Sequence, residues 1–112
     1  MEFESELDKC LMQIDKMEIE ADNNDYDSPK RMALLTGRRF AYQRGKNLNG
    51  LQPKELIEQY TARSEKLRIE IEEHRGRRKA NRLPISLRHA RSLGEYNGCR
   101  KIIVLLEEII DS

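Results

Sequence analysis

Few residues in this chain of 112 could carry acid–base, nucleophilic or metal chemistry: His74, His89, Cys10, Cys99 and the carboxylate pairs Glu72–Glu73 and Glu107–Glu108. Zinc needs Cys and His at short fixed spacings. Cys10 and Cys99 lie far apart, with no CxxC and no neighbouring His, so they read as free thiols of a reducing compartment. His74 has no Cys, Asp or second His at ligand spacing, and its place on the apolar stripe of its helix predicts a packing role. His89 stands among arginines and is expected to be exposed. Adjacent carboxylates on a helix diverge by roughly 100°, so neither pair can flank one substrate bond as paired acid and base. No nucleophile elbow, P-loop or dinucleotide fingerprint is present. The expectation is a non-enzyme, with no catalytic residues, no metal site and no cofactor.

The chemistry the sequence does concentrate is positive charge. "EEHRGRRKANRLP" (72–84) places five bases within residues 75–82. On a helical wheel Leu56, Tyr60, Leu67, Ile71 and His74 share a sector roughly 60° wide. Arg78 continues that sector and Arg75 and Arg82 edge it, while Arg77 and Lys79 point elsewhere. Arg88 and Arg91 can extend the patch beyond the proline turn. Three occupants fit these arginines: the acidic first segment of the same chain, a protein partner, or phosphates. The bland alternative is complementation of the helix dipole, with Glu73 pairing to Arg77 at i, i+4. Arg38 and Arg39 form a second candidate contact, since Arg39 sits in the broadest apolar sector of its own segment. That sector suits either an interface or a central helix with a paired arginine, and the second is favoured.

Charge is distributed in blocks. Net charge is only +1. Residues 1–27 carry ten acids and two lysines, residues 28–50 six bases and no acid, and residues 74–101 nine bases and one acid. Blocks of this size predict either elements that neutralise one another or separate patches for separate partners. The charged fraction of 37% beside 38% apolar residues, without Trp, fits narrow helical stripes. No run approaches the ~18 apolar residues of a membrane span, and the acidic start is unlike a signal peptide.

The elements that must hold these groups are helices. Phe3, Leu7, Cys10, Ile14, Met17 and Ala21 follow coiled-coil spacing, widened by Leu11. "ADNNDYD" is expected to end that helix. Ser28–Pro29 opens a second, running to about Arg44, where Gly45 and "NLNG" break it. Gln52–Pro53 opens a third, reaching about Arg82, and Pro84 forces a turn. A fourth runs almost to the end, either continuous or broken at "EYNG"; continuity is favoured. Ala90, Gly94 and Gly98 form a stripe that would admit another helix closely. Ile102, Ile103, Leu106, Ile109 and Ile110 supply the apolar face.

These readings combine into one all-α domain over residues 1–112, a bundle of about four helices with the third and fourth as an antiparallel hairpin. Scarce large side chains and the isoleucine stripe predict self-association into a homo-oligomer. The general manner (short, charged, helical, without motifs) resembles accessory proteins of phages and mobile elements. The expected function is a protein-binding inhibitor, adaptor or assembly factor, cytoplasmic (in the host cell if phage-encoded), with no membrane contact. The alternative is nucleic-acid binding through the basic blocks at 30–46 and 75–101. Against it stand the absence of a helix-turn-helix or stacking-aromatic pattern and the acidic segments beside both blocks.

Overall fold

The computed structural model describes residues 2–22, 28–48 and 50–111. Four helices account for nearly all of them: α1 (Phe3–Asp22), α2 (Ser28–Asn47), α3 (Pro53–Asn81) and α4 (Leu87–Asp111). No strand occurs among the described residues. Residues 23–27, expected to terminate α1, lie outside the described residues, as does Asn49 of "NLNG". α2 reaches three residues beyond the Arg44 expected from sequence, through Gly45. Gly45 is buried against Leu7 and the Tyr60 hydroxyl, so packing outweighs its poor helix propensity. The chain reverses instead at Gly50, whose φ of +99° is cheap only for glycine.

α4 is continuous through "EYNG", and its contact with α2 is the largest between any two helices. The small-residue stripe is the reason. A Cβ on Gly94 would lie 1.8 Å from the Leu34 carbonyl oxygen, and one on Gly98 would lie 2.8 Å from Ala41 Cβ. α2 answers with Gly37, whose Cβ would meet the Arg91 carbonyl oxygen at 2.1 Å. The two backbones touch where side chains normally keep them apart. α3 packs on the other side of α4 and α1 lies on α2, so the order across the bundle is α1–α2–α4–α3.

The core runs along this stack: Leu7 and Ile14 of α1, Leu35 and Tyr42 of α2, Tyr60 and Leu67 of α3, and Ile102 and Leu106 of α4. Tyr60 donates its hydroxyl proton to the Ala41 carbonyl at 2.8 Å, satisfying the one polar atom that so large a buried ring brings inside. Much of the stripes that argued for self-association is buried within one chain. Of the isoleucine stripe, Ile102, Ile103 and Leu106 are buried, Ile109 is half-buried and Ile110 is exposed.

The bundle measures 46 × 32 × 21 Å. A helix of the length of α3 spans about 43 Å, so α3 sets the long dimension. Its last buried residue is Ile71, and the ten residues after it are half-buried or exposed. The last turns of α3, with the turn at Pro84 and the start of α4, form the closed end of the hairpin.

Candidate functional site

The charge blocks resolve differently at the two ends of the molecule. The acids of α1 meet the bases of α2. Arg39 Nε donates to Glu18 Oε1 at 2.9 Å and its Nη2 to Asp15 Oδ1 at 2.5 Å, while Lys46 Nζ reaches Asp8 Oδ1 at 2.6 Å. The hydrogen bonds from Asp15 and Glu18 push the Arg39 pKa up. Arg39 is therefore the paired arginine of a central helix and is already engaged within the chain. Arg38 is half-buried; its Nη2 donates to the Tyr42 hydroxyl at 3.2 Å and its Nε is buried without a partner. In the middle of the bundle Arg63 holds Glu95 with two parallel bonds, Nε to Oε2 at 2.6 Å and Nη2 to Oε1 at 2.9 Å. This forked pair ties α3 to α4, and the sequence reading missed it because the two residues lie 32 positions apart.

The hairpin end has no such answer. Arg75 reaches Glu72 at 3.3 Å, a solvent-exposed pair worth well under ~1 kcal/mol. Among the described residues, Arg77, Arg78, Lys79, Arg82, Arg88 and Arg91 have no carboxylate at salt-bridge distance. The wheel argument holds for Arg78, which is half-buried behind the half-buried His74, while Arg75 and Arg82 are exposed. It fails for Arg77. That side chain curls back and places Nη2 3.3 Å from His74 Nδ1 in place of the expected pairing with Glu73.

His89 overturns its expectation. It is buried, with 4% of its surface accessible, and stacks on His74 with ring centroids 5.3 Å apart and planes 18° from parallel. The cause is the chain reversal at Pro84, which sets the first turn of α4 against the last turns of α3. Two histidines 15 positions apart gave no sequence signal of that contact. Burial holds the His89 pKa below the ordinary imidazole value, and the positive neighbours His74, Arg78 and Arg75 push it the same way. Its Nε2 is buried with no hydrogen-bond partner. Beside the ring pair lies a cleft of about 200 Å³ lined by Arg77, Arg78, Asn81 and Ser86 as well as both histidines. No acid lines it.

Backbone detail shapes this end. Arg82 takes a left-handed conformation (φ 53°, ψ 41°), and the N–H groups of Arg82 and Leu83 both donate to the Arg78 carbonyl. Asn81 Nδ2 donates to the Arg77 carbonyl at 2.9 Å. The carbonyls of Arg77 and Arg78 are thus occupied beyond the helix's own ladder. At the start of α4 the Ser86 hydroxyl accepts from the His89 N–H at 3.0 Å, an N-cap. Leu83 and Leu87, flanking the turn, are 57% and 53% exposed.

Cys10 and Cys99 are both free thiols, and burial raises both pKa values, Cys99 to about 11. A raised pKa leaves little thiolate, the opposite of an activated nucleophile. A larger cavity of about 430 Å³ at the opposite end is lined mainly by apolar groups such as Phe3, Leu51, Leu56 and Leu106. Among the described residues no His, Cys, Asp and Glu group has metal-site geometry, and no helix is long and apolar enough to cross a membrane. Comparison with family models, curated proteins and solved structures returns no match to this chain.

Proposed function

We propose that the chain is a non-enzymatic interaction protein that docks the closed end of its α3–α4 hairpin onto an acidic surface of a larger protein. One observation carries the reading. Asp8, Asp15 and Glu18 of α1 are engaged by α2, while the bases from Arg77 to Arg91 stay without carboxylate partners among the described residues. Uncompensated charge of one sign destabilises a compact state by self-repulsion, so its concentration in one place calls for an opposite surface. Leu83 and Leu87 support a protein partner over a nucleic acid. Exposed apolar anchors ringed by arginines match the make-up of protein interfaces. A reader of nucleic-acid backbones relies on cationic and polar contacts and gains nothing from exposed leucines. Whether such docking inhibits, bridges or assembles depends on the partner's own activity. Arg39 leaves the candidate surface, being engaged within the chain, and so does Arg38, which bonds to the Tyr42 hydroxyl and packs its backbone against Gly98.

The test begins with capture from nuclease-treated lysate, followed by purification of the captured partner and direct titration. Binding should weaken with salt, fall at least tenfold in the Arg78→Glu/Arg82→Glu/Arg88→Glu variant, and fall comparably in Leu83→Ser/Leu87→Ser. Equal affinity of the triple variant and the parent sinks the proposal. So does binding of DNA or RNA that the arginine changes abolish and the leucine changes leave untouched, which would establish the nucleic-acid alternative.

A further inference from the structure

We propose that the cleft beside the His74–His89 pair is a binding site for one doubly charged tetrahedral oxyanion, of the phosphate or sulfate class, held most tightly when His89 is protonated. This goes beyond the docking reading and does not rest on it, because a small anion can be titrated with no partner present.

The lining selects the charge of the ligand. Arg77, Arg78, His74 and His89 converge on the cleft, Asn81 and Ser86 add polar groups, and no carboxylate lines it. A neighbouring cavity against the same first turns of α4 is lined by Lys30 and Arg31 of α2, again without an acid. The charged and titratable groups that act on His89 are His74, Arg75 and Arg78 of α3. A volume of about 200 Å³ exceeds several-fold what one ordered water needs, leaving room for an oxyanion with part of its hydration.

One observation points to an absent hydrogen-bond partner. His89 Nε2 is buried with no partner, in a residue only 4% exposed. A buried polar atom left unsatisfied costs roughly 1–3 kcal/mol, and native proteins rarely tolerate that without a ligand or water. The start of α4 adds the positive end of its dipole, and the carbonyls of Arg77 and Arg78 near the end of α3 accept from Asn81, Arg82 and Leu83.

The same positive surroundings explain the expected pH dependence. Without an anion, a proton on His89 meets burial and three positive neighbours and is disfavoured. A dianion in the cleft reverses the sign of the local field. Binding should then take up a proton, and affinity should rise as pH falls through the imidazole range.

Sulfate is the probe of choice because its charge stays fixed across that range. Titration followed by the ring ¹⁵N and ¹H resonances of both histidines should give saturable shifts. Binding about tenfold tighter near pH 5.5 than near pH 8 corresponds to a one-unit rise of an imidazole pKa on binding. Arg78→Gln should weaken binding at both pH values. His89→Gln, with its fold checked by circular dichroism, should flatten the pH dependence. Lys79→Gln, outside the lining, should do neither. Inorganic phosphate and O-phosphoserine distinguish the source: tighter binding of the monoester marks a phosphorylated side chain as the ligand, and equal binding marks the free ion. No saturable shift near pH 5.5, equal affinity at both pH values, or a loss in Lys79→Gln as large as in Arg78→Gln overturns the proposal.

Discussion

The close crossing of α2 and α4 makes a prediction whose sign differs from ordinary helix chemistry. Gly94→Ala would place Cβ 1.8 Å from the Leu34 carbonyl oxygen, 2.7 Å from its carbonyl carbon and 3.0 Å from its Cα. All three are backbone atoms, so no rotamer change relieves the contact. Ordinary contact needs the helices to separate by more than ~1.5 Å at this point. Gly37 and Gly98 lock the same interface on either side, so that shift would also loosen Ala41, Cys99 and Ile102 around it. Overpacking costs about 1–3 kcal/mol, here at the upper end, and alanine returns ~1 kcal/mol of helix propensity. The net loss should be about 2 kcal/mol, or roughly 8 °C in Tm for a domain of this size. Gly76→Ala is the matched control. It lies in exposed helix with no atom within 4 Å of the new Cβ, so the same change should stabilise by ~0.5–1 kcal/mol. Thermal melts by circular dichroism read both. If Gly94→Ala raises Tm as Gly76→Ala does, the backbones are not in contact and the helix order α1–α2–α4–α3 loses its anchor.

Three further outcomes follow from the packing and the titrating groups. Arg63→Ala should cost more stability than Glu95→Ala in urea melts, by ~1 kcal/mol, because it strands the more buried member of the pair: the Glu95 side chain is 10% accessible and that of Arg63 29%. Stability should be full below about pH 9 and should fall as pH rises towards about 11. Burial raises the Cys99 thiol from 9.0 to about 11, and the Tyr60 hydroxyl also upward, so the folded state keeps protons that the unfolded chain releases. Cys99→Ala should flatten that alkaline decline in chemical denaturation series. Light scattering at micromolar concentration should return the 13.2 kDa of a single chain, since much of the stripes that predicted self-association is buried within it; a stable dimer mass would show that exposed residues such as Met12, Ile19 and Val104 form an interface.

What could be read from the sequence was whatever local spacing encodes. The 3.6-residue periodicity of Leu7, Ile14 and Ala21, the Ser28–Pro29 and Gln52–Pro53 starts, and the Pro84 reversal all act within a few residues, and each element formed where they placed it. Gly45 misled because glycine's cost is local while its benefit, room for Leu7 and Tyr60, is tertiary. "EYNG" posed the same ambiguity, and the space needed by the Leu34 carbonyl decided it for a continuous helix. The candidate site divided along the same line. Arg78 and His74 followed the wheel of a single helix and were legible. The burial of His89 and the Arg63–Glu95 fork depend on which turns of α3 and α4 come level, and no periodicity within one helix carries that register. The alternating charge blocks anticipated neutralising elements but not their pairing: α1 pairs with α2, and the acidic first segment, one of three candidate occupants, does not reach the arginines at the end of α3.

Arg82 shows what the hairpin end gives up to keep its charge. The residue closing α3 has φ 53°, the left-handed conformation in which glycine is strongly preferred and an L side chain is strained by roughly 1–2 kcal/mol. Its guanidinium has no carboxylate partner among the described residues, and it adds to a cluster of like charges with no acid lining the adjoining cleft. Stability alone therefore favours glycine here, and Arg82→Gly should raise the unfolding free energy by ~0.5–1 kcal/mol once glycine's greater freedom in the unfolded chain is subtracted. The Arg82 N–H bond to the Arg78 carbonyl needs only backbone, so the cap survives the change. Arg82→Asn, which tolerates the same φ and also removes the charge, should behave similarly. Arg82→Lys keeps the charge and the strain and should leave stability unchanged. The same three proteins, titrated against the purified acidic partner, should rank in the reverse order, with the lysine variant close to the parent and the other two weaker. An Arg82→Gly protein that is both less stable and fully competent to bind would mean the left-handed arginine serves the fold, and the argument from strain to function would fail at this residue.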